Sequence, residues 1–296
     1  MTLTLRLTLI VLLLMFLAPL TTSARGIGNS SSHLHPNTIE EFETCEFSNM
    51  AHAITWAPVE VECPVCKTKN NFLEPMSWGS YIYHDSSKYQ LIFWPHTAGP
   101  SWYSCKKCRY TAFMGIFKDV PAEKIAELRT LLEGVYLPPQ KTITGDEGRH
   151  RPPYNEIPLP ARIAVAEKVY RVLGKTDDAF WNHFYRVKAY HLESDKKLAE
   201  ADEARKKSLA LSERMLADKE KAGSRKEVLY LIGAMKYFLR DGRGALKSFE
   251  AASKLTLADK ELDEEQNKNY DEYLSSLIKE YIEMLEKGEG PKMDGF

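Results

Sequence analysis

This chain has no surplus of charge, no familiar catalytic motif and few cysteines, and each shortage narrows what it can be. Lysine and arginine together number 40 against 41 aspartates and glutamates, a formal net charge of −1. That balance, with no basic stripe carrying interleaved aromatics, argues against a strongly basic nucleic-acid binder, and no nucleic-acid partner is expected. H-E-x-x-H, G-x-S-x-G and a phosphate-binding glycine loop are all missing from the sequence. The templates for metalloprotease, serine-hydrolase and nucleotide chemistry therefore fail together. Carboxylates such as Glu264 and Glu265 fall in charge runs, the pattern of a solvated helix face rather than of an acid–base pair.

Only five cysteines occur in 296 residues, yet four are concentrated in Cys63-Pro64-Val65-Cys66 and Cys105-Lys106-Lys107-Cys108. Each C-x-x-C turn can aim two thiolates at one ion, and two such turns complete a tetrahedral set. Cys63, Cys66, Cys105 and Cys108 are thus the candidate ligands of a structural zinc ion. Two alternatives compete: a pair of disulfides, or a thioredoxin-like redox pair at Cys63 and Cys66. A redox pair normally opens a helix that lowers its thiol pKa, whereas Lys67 to Asn71 is polar and turn-forming. Between the pairs, Trp78, Tyr81, Tyr83, Tyr89, Leu91, Ile92, Phe93 and Trp94 have the aromatic and β-branched content of hairpin strands. A small β-rich zinc ribbon is expected over residues 57–136. With four thiolates its site would be closed, leaving no position to activate water. His84 and His96 lie between the pairs and read as loop residues rather than ligands, and Cys45 reads as a small buried side chain.

Arg6 precedes an apolar run from Leu7 to Leu20 that is broken by Pro19 and followed by Thr22-Ser23-Ala24. The run is short for a membrane-spanning helix and has the layout of a cleaved signal peptide over residues 1–24, with an uncleaved anchor as the alternative. Export to the periplasm or the exterior is expected, with no stable membrane insertion after cleavage. An oxidising compartment makes disulfides more plausible than they would be in the cytosol, while zinc stays the favoured reading. Residues 25–56 form a flexible lead-in, Gly-, Ser-, Asn- and His-rich at first, in which His33 and His35 read as exposed bystanders.

Past the second cysteine pair, Asp119-Val120-Pro121 opens a helix with Ile125, Leu128, Leu131 and Leu132 on one face and Gly134 as its stop. Residues 137–160 are rich in proline and read as a linker, so a multidomain, mainly α chain is expected. Residues 161–296 carry successive helical stripes: Ile163/Ala166/Tyr170/Leu173, then Phe180/Phe184/Val187/His191, then a longer one from Leu198 to Met215. Ser224 and Glu227 have capping-box spacing ahead of Val228, Leu231 and Met235. Gly233, Ala245, Phe249 and Ala252 match the small and aromatic positions of a tetratricopeptide repeat, with Phe180 to Met215 as an earlier, degraded unit with a longer turn. Tyr270, Leu274, Leu277, Tyr281 and Leu285 line a last amphipathic helix.

Taken together, Cys63-Pro64-Val65-Cys66, Cys105-x-x-Cys108-x-Tyr110-x-Ala112-Phe113 and Phe117, followed by helical repeats, resemble the DUF2225 family. The resemblance covers about Val61 to Leu285. It implies a zinc-ribbon-like N-terminal part and a tetratricopeptide-like C-terminal part, and it implies no activity. The family pattern has glycine directly after each cysteine pair, where the turn favours positive φ; here those positions are Lys67 and Arg109. The functional expectation is an exported, non-enzymatic, zinc-stabilised scaffold or adaptor that meets a protein partner through its helical surface. The alternative is an envelope thiol-disulfide oxidoreductase using Cys63 and Cys66.

Overall fold

The computed structural model describes residues 55–77, 85–135, 141–143, 154–156, 158–218 and 224–291. The expected signal peptide, the lead-in with Cys45, His33 and His35, the residues Trp78, Tyr81, Tyr83 and His84, and most of the 137–160 linker lie outside these.

The β part is built from three antiparallel pairs among the described residues. The first joins β1 (Thr55–Glu62) to β2 (Lys69–Ser77), with Glu62 opposite Lys69 and Val59 opposite Phe72. The hairpin's turn is the first C-x-x-C pair. Alternation follows from the pleat: Val61 is buried while Glu60 and Glu62 face solvent. The second pair, β3 (Trp102–Ser104) and β4 (Thr111–Phe113), is buried along its whole length and turns through the second C-x-x-C. A third short pair joins β5 (Lys141–Ile143) to β6 (Tyr154–Glu156).

One strand expectation fails. The aromatic stretch between the cysteine pairs does not form hairpins where it is described: Asp85–Tyr89 is a short helix, α1, and residues 90–98 run irregularly, with Leu91 at φ +50. The strands lie instead in the plainer sequence flanking each cysteine pair, including Lys69 to Asn71. Aromatic content reports burial as much as strand geometry, and here Tyr89 is buried against Tyr281 of the helices.

The helical part begins with α2 (Ile125–Glu133), preceded by a 3-10 turn at Ala122–Lys124 and capped at Gly134, close to the sequence reading. There follow α3 (Leu159–Val172), α4 (Asp178–Ser194), α5 (Leu198–Ala217), α6 (Arg225–Phe238), α7 (Gly242–Ser253) and α8 (Glu264–Glu286). Helices adjacent in sequence pack on each other, α4 with α5 and α6 with α7 most extensively. The α4–α5 and α6–α7 connections are each three residues, so the longer turn expected in the first of these is not found. Both use the same device: a helix end closed by a left-handed residue, Lys196 (φ +61) or Arg240 (φ +67), with a six-to-one hydrogen bond behind it, Lys197 to Leu192 or Asp241 to Lys236.

Gly233 of α6 lies against the Phe249 ring of α7: a Cβ there would come within 2.7 Å of it. The ring is itself stacked 4.3 Å from Tyr281 of α8. The expected box at α6 does not form, since no side-chain cap bond closes at Ser224, whereas Asp263 and Gln266 make a full capping box at α8. Glu227 has another use: it is turned inward to Tyr270 and Arg186, and burial pushes its carboxyl pKa up against their pull.

The described residues belong to one compact unit. One hydrophobic cluster runs from Val61, Cys63 and Tyr110 of the β part through Leu128 and Tyr170 to Trp181, Val187 and Leu211 of the helices. A second gathers α6, α7 and α8 around Phe249 and Tyr281, and takes in Tyr89 and Leu91 from the segment between the cysteine pairs.

Candidate metal centre and the arm beside it

The two C-x-x-C turns are near copies. In the first, the Cys63 amide donates to the Thr68 carbonyl (2.9 Å) and the Lys67 amide to the Cys63 carbonyl (2.9 Å). In the second, the Cys105 amide donates to Tyr110 (2.8 Å) and the Arg109 amide to Cys105 (3.0 Å). Lys67 and Arg109 close these turns at φ +60 and φ +67, the left-handed geometry that glycine adopts freely.

The four Sγ atoms lie within 4.8 Å of one another, close enough to hold one metal ion. Cys63 and Cys108 are 3.6 Å apart, Cys66 and Cys105 3.5 Å. A tetrahedral ion with metal–sulfur bonds of about 2.3 Å spaces its sulfurs roughly 3.8 Å apart, so the donor set fits with little movement. All four cysteines are free thiols. Hydrogen bonds from Cys108 and Cys63 pull the Cys105 thiol pKa down, while donation to Cys105 raises Cys108 and pushes Cys63 up to about 12. Four thiols packed this closely cannot all ionise without a cation to offset their like charges.

The surroundings hold the sulfurs in place. Asn70 reaches from β2 to the second turn, its side-chain amide 3.7 Å from Cys105 Sγ and its oxygen accepting from the Lys106 amide at 2.9 Å. Arg129 of α2 donates twice to the Val65 carbonyl inside the first turn, at 3.1 and 3.0 Å. Tyr110 and Phe117 are fully buried beside the turns, and the amide of Phe113 donates to the Tyr170 hydroxyl of α3 at 2.8 Å. Metal-site geometry is commonly stiffened by such outer contacts. His96 takes no part in the donor set; its ring stacks 4.0 Å from Phe113.

Sequence reading missed how the segment between the cysteine pairs is held. Residues 85–101, here called the arm, leave the β part between β2 and β3 and lie along the helices. A buried irregular backbone must find partners for its carbonyls, and the helices supply them from side chains. Tyr230 of α6 and Tyr281 of α8 both donate to the Tyr89 carbonyl, at 2.9 and 3.1 Å. Arg186 of α4 donates to the carbonyls of Gln90 and Leu91. His191 Nε2 donates to the His96 carbonyl at 2.7 Å, and Arg162 of α3 to Gly99 at 3.1 Å and to neighbouring Trp102 at 2.9 Å. Side chains add Lys88–Glu280 at 3.1 Å and Ser86–Glu193 at 3.3 Å, with Arg205 paired to the same Glu193. A faint signal was available: Asn182, Arg186, Tyr190 and Glu193 recur at helical spacing, a polar stripe beside the apolar one.

Three histidines meet under the arm. The rings of His96 and His183 are 4.5 Å apart, and burial holds all three of His96, His183 and His191 well below their ordinary pKa, at about 3 for His96 and about 4 for His191. Arg186 and Arg162 nearby reinforce the shift. No described helix is long and apolar enough to cross a membrane. Comparison of the chain with protein-family models, with curated proteins and with solved structures found no match.

Proposed function

We propose that this chain is a non-enzymatic interaction protein whose N-terminal part is stabilised by a structural zinc ion on Cys63, Cys66, Cys105 and Cys108, and which acts after export. The observation that carries the reading is the closed donor set: four sulfurs within 4.8 Å of one another, in twin turns braced by Asn70 and Arg129. Four thiolates complete the shell of zinc and leave no position for substrate or water. The same residues carry the resemblance to the DUF2225 family, with Tyr110, Ala112, Phe113 and Phe117 buried around them.

The interaction role rests on the helices. Side chains of α3, α4, α6 and α8 already hold the backbone of an irregular segment, the arm, so this face has donors that can take up peptide carbonyls. The Gly233–Phe249 contact and the matched three-residue connections of α4–α5 and α6–α7 support a tetratricopeptide-like array. Export rests on the Leu7–Leu20 run and Thr22-Ser23-Ala24. Burial of Cys63 speaks against an exposed redox nucleophile there.

Metal and thiol analysis of protein taken from its native compartment tests the reading. About one zinc per chain is expected, with the four thiols becoming reactive only after chelation and with no thiol–disulfide turnover. Folded, metal-free protein with stoichiometric disulfides would overturn it. Intact mass should place the mature N-terminus near Arg25.

A further inference from the structure

The two C-x-x-C turns match in backbone but not in side chains. Thr68 and Asn70 stand two and four residues past Cys66, where the second turn has Tyr110 and Ala112 past Cys108. Thr68 Oγ1 is 3.3 Å from Cys66 Sγ, and Asn70 Nδ2 is 3.7 Å from Cys105 Sγ. Nothing equivalent comes from the second turn: Ala112 has no polar side-chain atom, and the buried Tyr110 hydroxyl finds no partner among the described residues. The first hairpin thus sets a polar side chain against one sulfur of each turn, Cys66 of its own and Cys105 of the other, a pair 3.5 Å apart.

Asn70 is fixed in the orientation that donation needs. It is 2% exposed, and the Lys106 amide, which can only donate, meets it at 2.9 Å. The atom there must be Oδ1, so the NH2 group faces the other way. One of its hydrogens goes to the Thr68 carbonyl at 2.8 Å. The other has the Val61 carbonyl at 3.5 Å, longer than a normal N–H···O bond, and the Cys105 sulfur at 3.7 Å. A thiol sulfur accepts weakly, whereas a thiolate is charged and draws such a donor in. Thr68 changes sense in the same way: the Cys66 thiol donates to its hydroxyl, but to a Cys66 thiolate only the hydroxyl can donate.

We infer that Asn70 and Thr68 are positioning residues for the metal, whose N–H and O–H groups hydrogen-bond the ligand thiolates of Cys105 and Cys66 and so set how tightly the ion is held. The inference rests on the metal reading above. Four thiolates leave a net negative charge on a divalent ion, and donors aimed at the sulfurs offset part of it in a site where Cys63 and Cys105 are fully buried. The role separates Asn70 from Arg129, which braces the first turn through the Val65 carbonyl rather than through a sulfur.

The full chain loaded with cadmium-113 tests this without any substitution. A hydrogen bond to a metal-bound sulfur carries scalar coupling between its proton and the metal nucleus, so a side-chain amide proton of Asn70 should couple to cadmium. Coupling at backbone amides with none at Asn70 overturns the inference. Variants read the same contacts through cobalt(II). Asn70→Ala and Thr68→Val each remove one donor, and the sulfur-to-cobalt charge-transfer band should move to lower energy in both, because a sulfur lone pair that loses its hydrogen bond rises in energy. Zinc affinity, measured by competition with a chromophoric chelator, should fall on the order of tenfold in Asn70→Ala, as on loss of other outer contacts to a metal site. Arg129→Ala should weaken zinc but leave the band where it is. An unmoved band in Asn70→Ala or Thr68→Val, or an equal shift in Arg129→Ala, overturns the inference and leaves the zinc site standing. Should Asn70→Ala fail to fold, the wild-type coupling decides alone. A wild-type chain that takes up neither zinc nor cadmium removes the metal reading itself, and the inference with it.

Discussion

At Lys67 and Arg109 the chain puts long cationic side chains where the backbone turns left-handed, at φ +60 and φ +67. A residue with a Cβ is disfavoured there by about 1 kcal/mol or more, while glycine gives back part of that gain through its freer unfolded state, roughly 0.5 kcal/mol. Lys67 is exposed, and its contact with Glu62 spans 3.5 Å between two solvated side chains, so little is lost with it. Lys67→Gly should therefore stabilise the metal-loaded protein by about 0.5 kcal/mol in chemical denaturation, with Lys67→Ala giving no gain. Gly233 behaves in the opposite sense. Its missing Cβ leaves the Phe249 ring room, and that ring cannot retreat because Tyr281 stacks behind it at 4.3 Å. Gly233→Ala should lose about 1–3 kcal/mol by overpacking, although alanine has the better helix propensity by about 1 kcal/mol. A rise in melting temperature would show that the α6–α7 contact is looser than the structure has it. Both residues could be singled out from sequence, because the turn and the repeat each have a positional rule.

Among the elements, α2, α3, α4 and α8 were legible from their apolar spacing, and their stripes are buried as expected at Leu128, Tyr170, Phe184 and Leu277. The arm was not, because its conformation is set by donors on four separate helices rather than by its own residues. His96 of the arm and His183 and His191 of α4 beneath it make this contact sensitive to acid. His96, His183 and His191 have folded pKa values depressed below the ordinary 6.5. Above that pH both folded and unfolded chains leave them neutral and stability is unaffected. Between about 6.5 and 4 the unfolded chain takes up protons that the folded chain refuses, so stability falls as pH falls. Each such proton steepens the loss by up to about 1.4 kcal/mol per pH unit. Denaturant midpoints measured from pH 7.5 to 4.5 should drop steeply below 6.5, and His191→Gln should flatten the profile. A profile identical in the variant would mean that His191 titrates normally. Glu167 adds a contribution at lower pH: burial raises its pKa, but Lys188 and Arg171 outweigh burial and hold it at about 2, so its stabilisation is lost as pH falls from about 4.5 towards that value.

For the whole molecule the decisive fact is the continuous core. Val61, Cys63 and Tyr110 belong to the same cluster as Trp181 and Leu211, although they lie far apart in sequence. Residues 57–136 produced alone should bind zinc but show no cooperative unfolding transition, since Trp102, Phe113 and the arm's carbonyls would lose their helical partners; a sharp melt of that fragment would show that the ribbon is self-sufficient. The sequence by itself determined the four cysteines and their turns, the mainly helical second half and the contact of Gly233, because each depends on residues close in the chain or on a short repeating interval. Tertiary structure alone decided that the aromatic stretch after Asp85 becomes an arm instead of a hairpin, that Glu227 points inward instead of closing a cap, and that Arg162, Arg186 and Arg205 are buried. Those outcomes depend on which carbonyls and hydroxyls arrive from segments up to 192 residues away, as with Tyr89 and Tyr281, and no local pattern records that arrival.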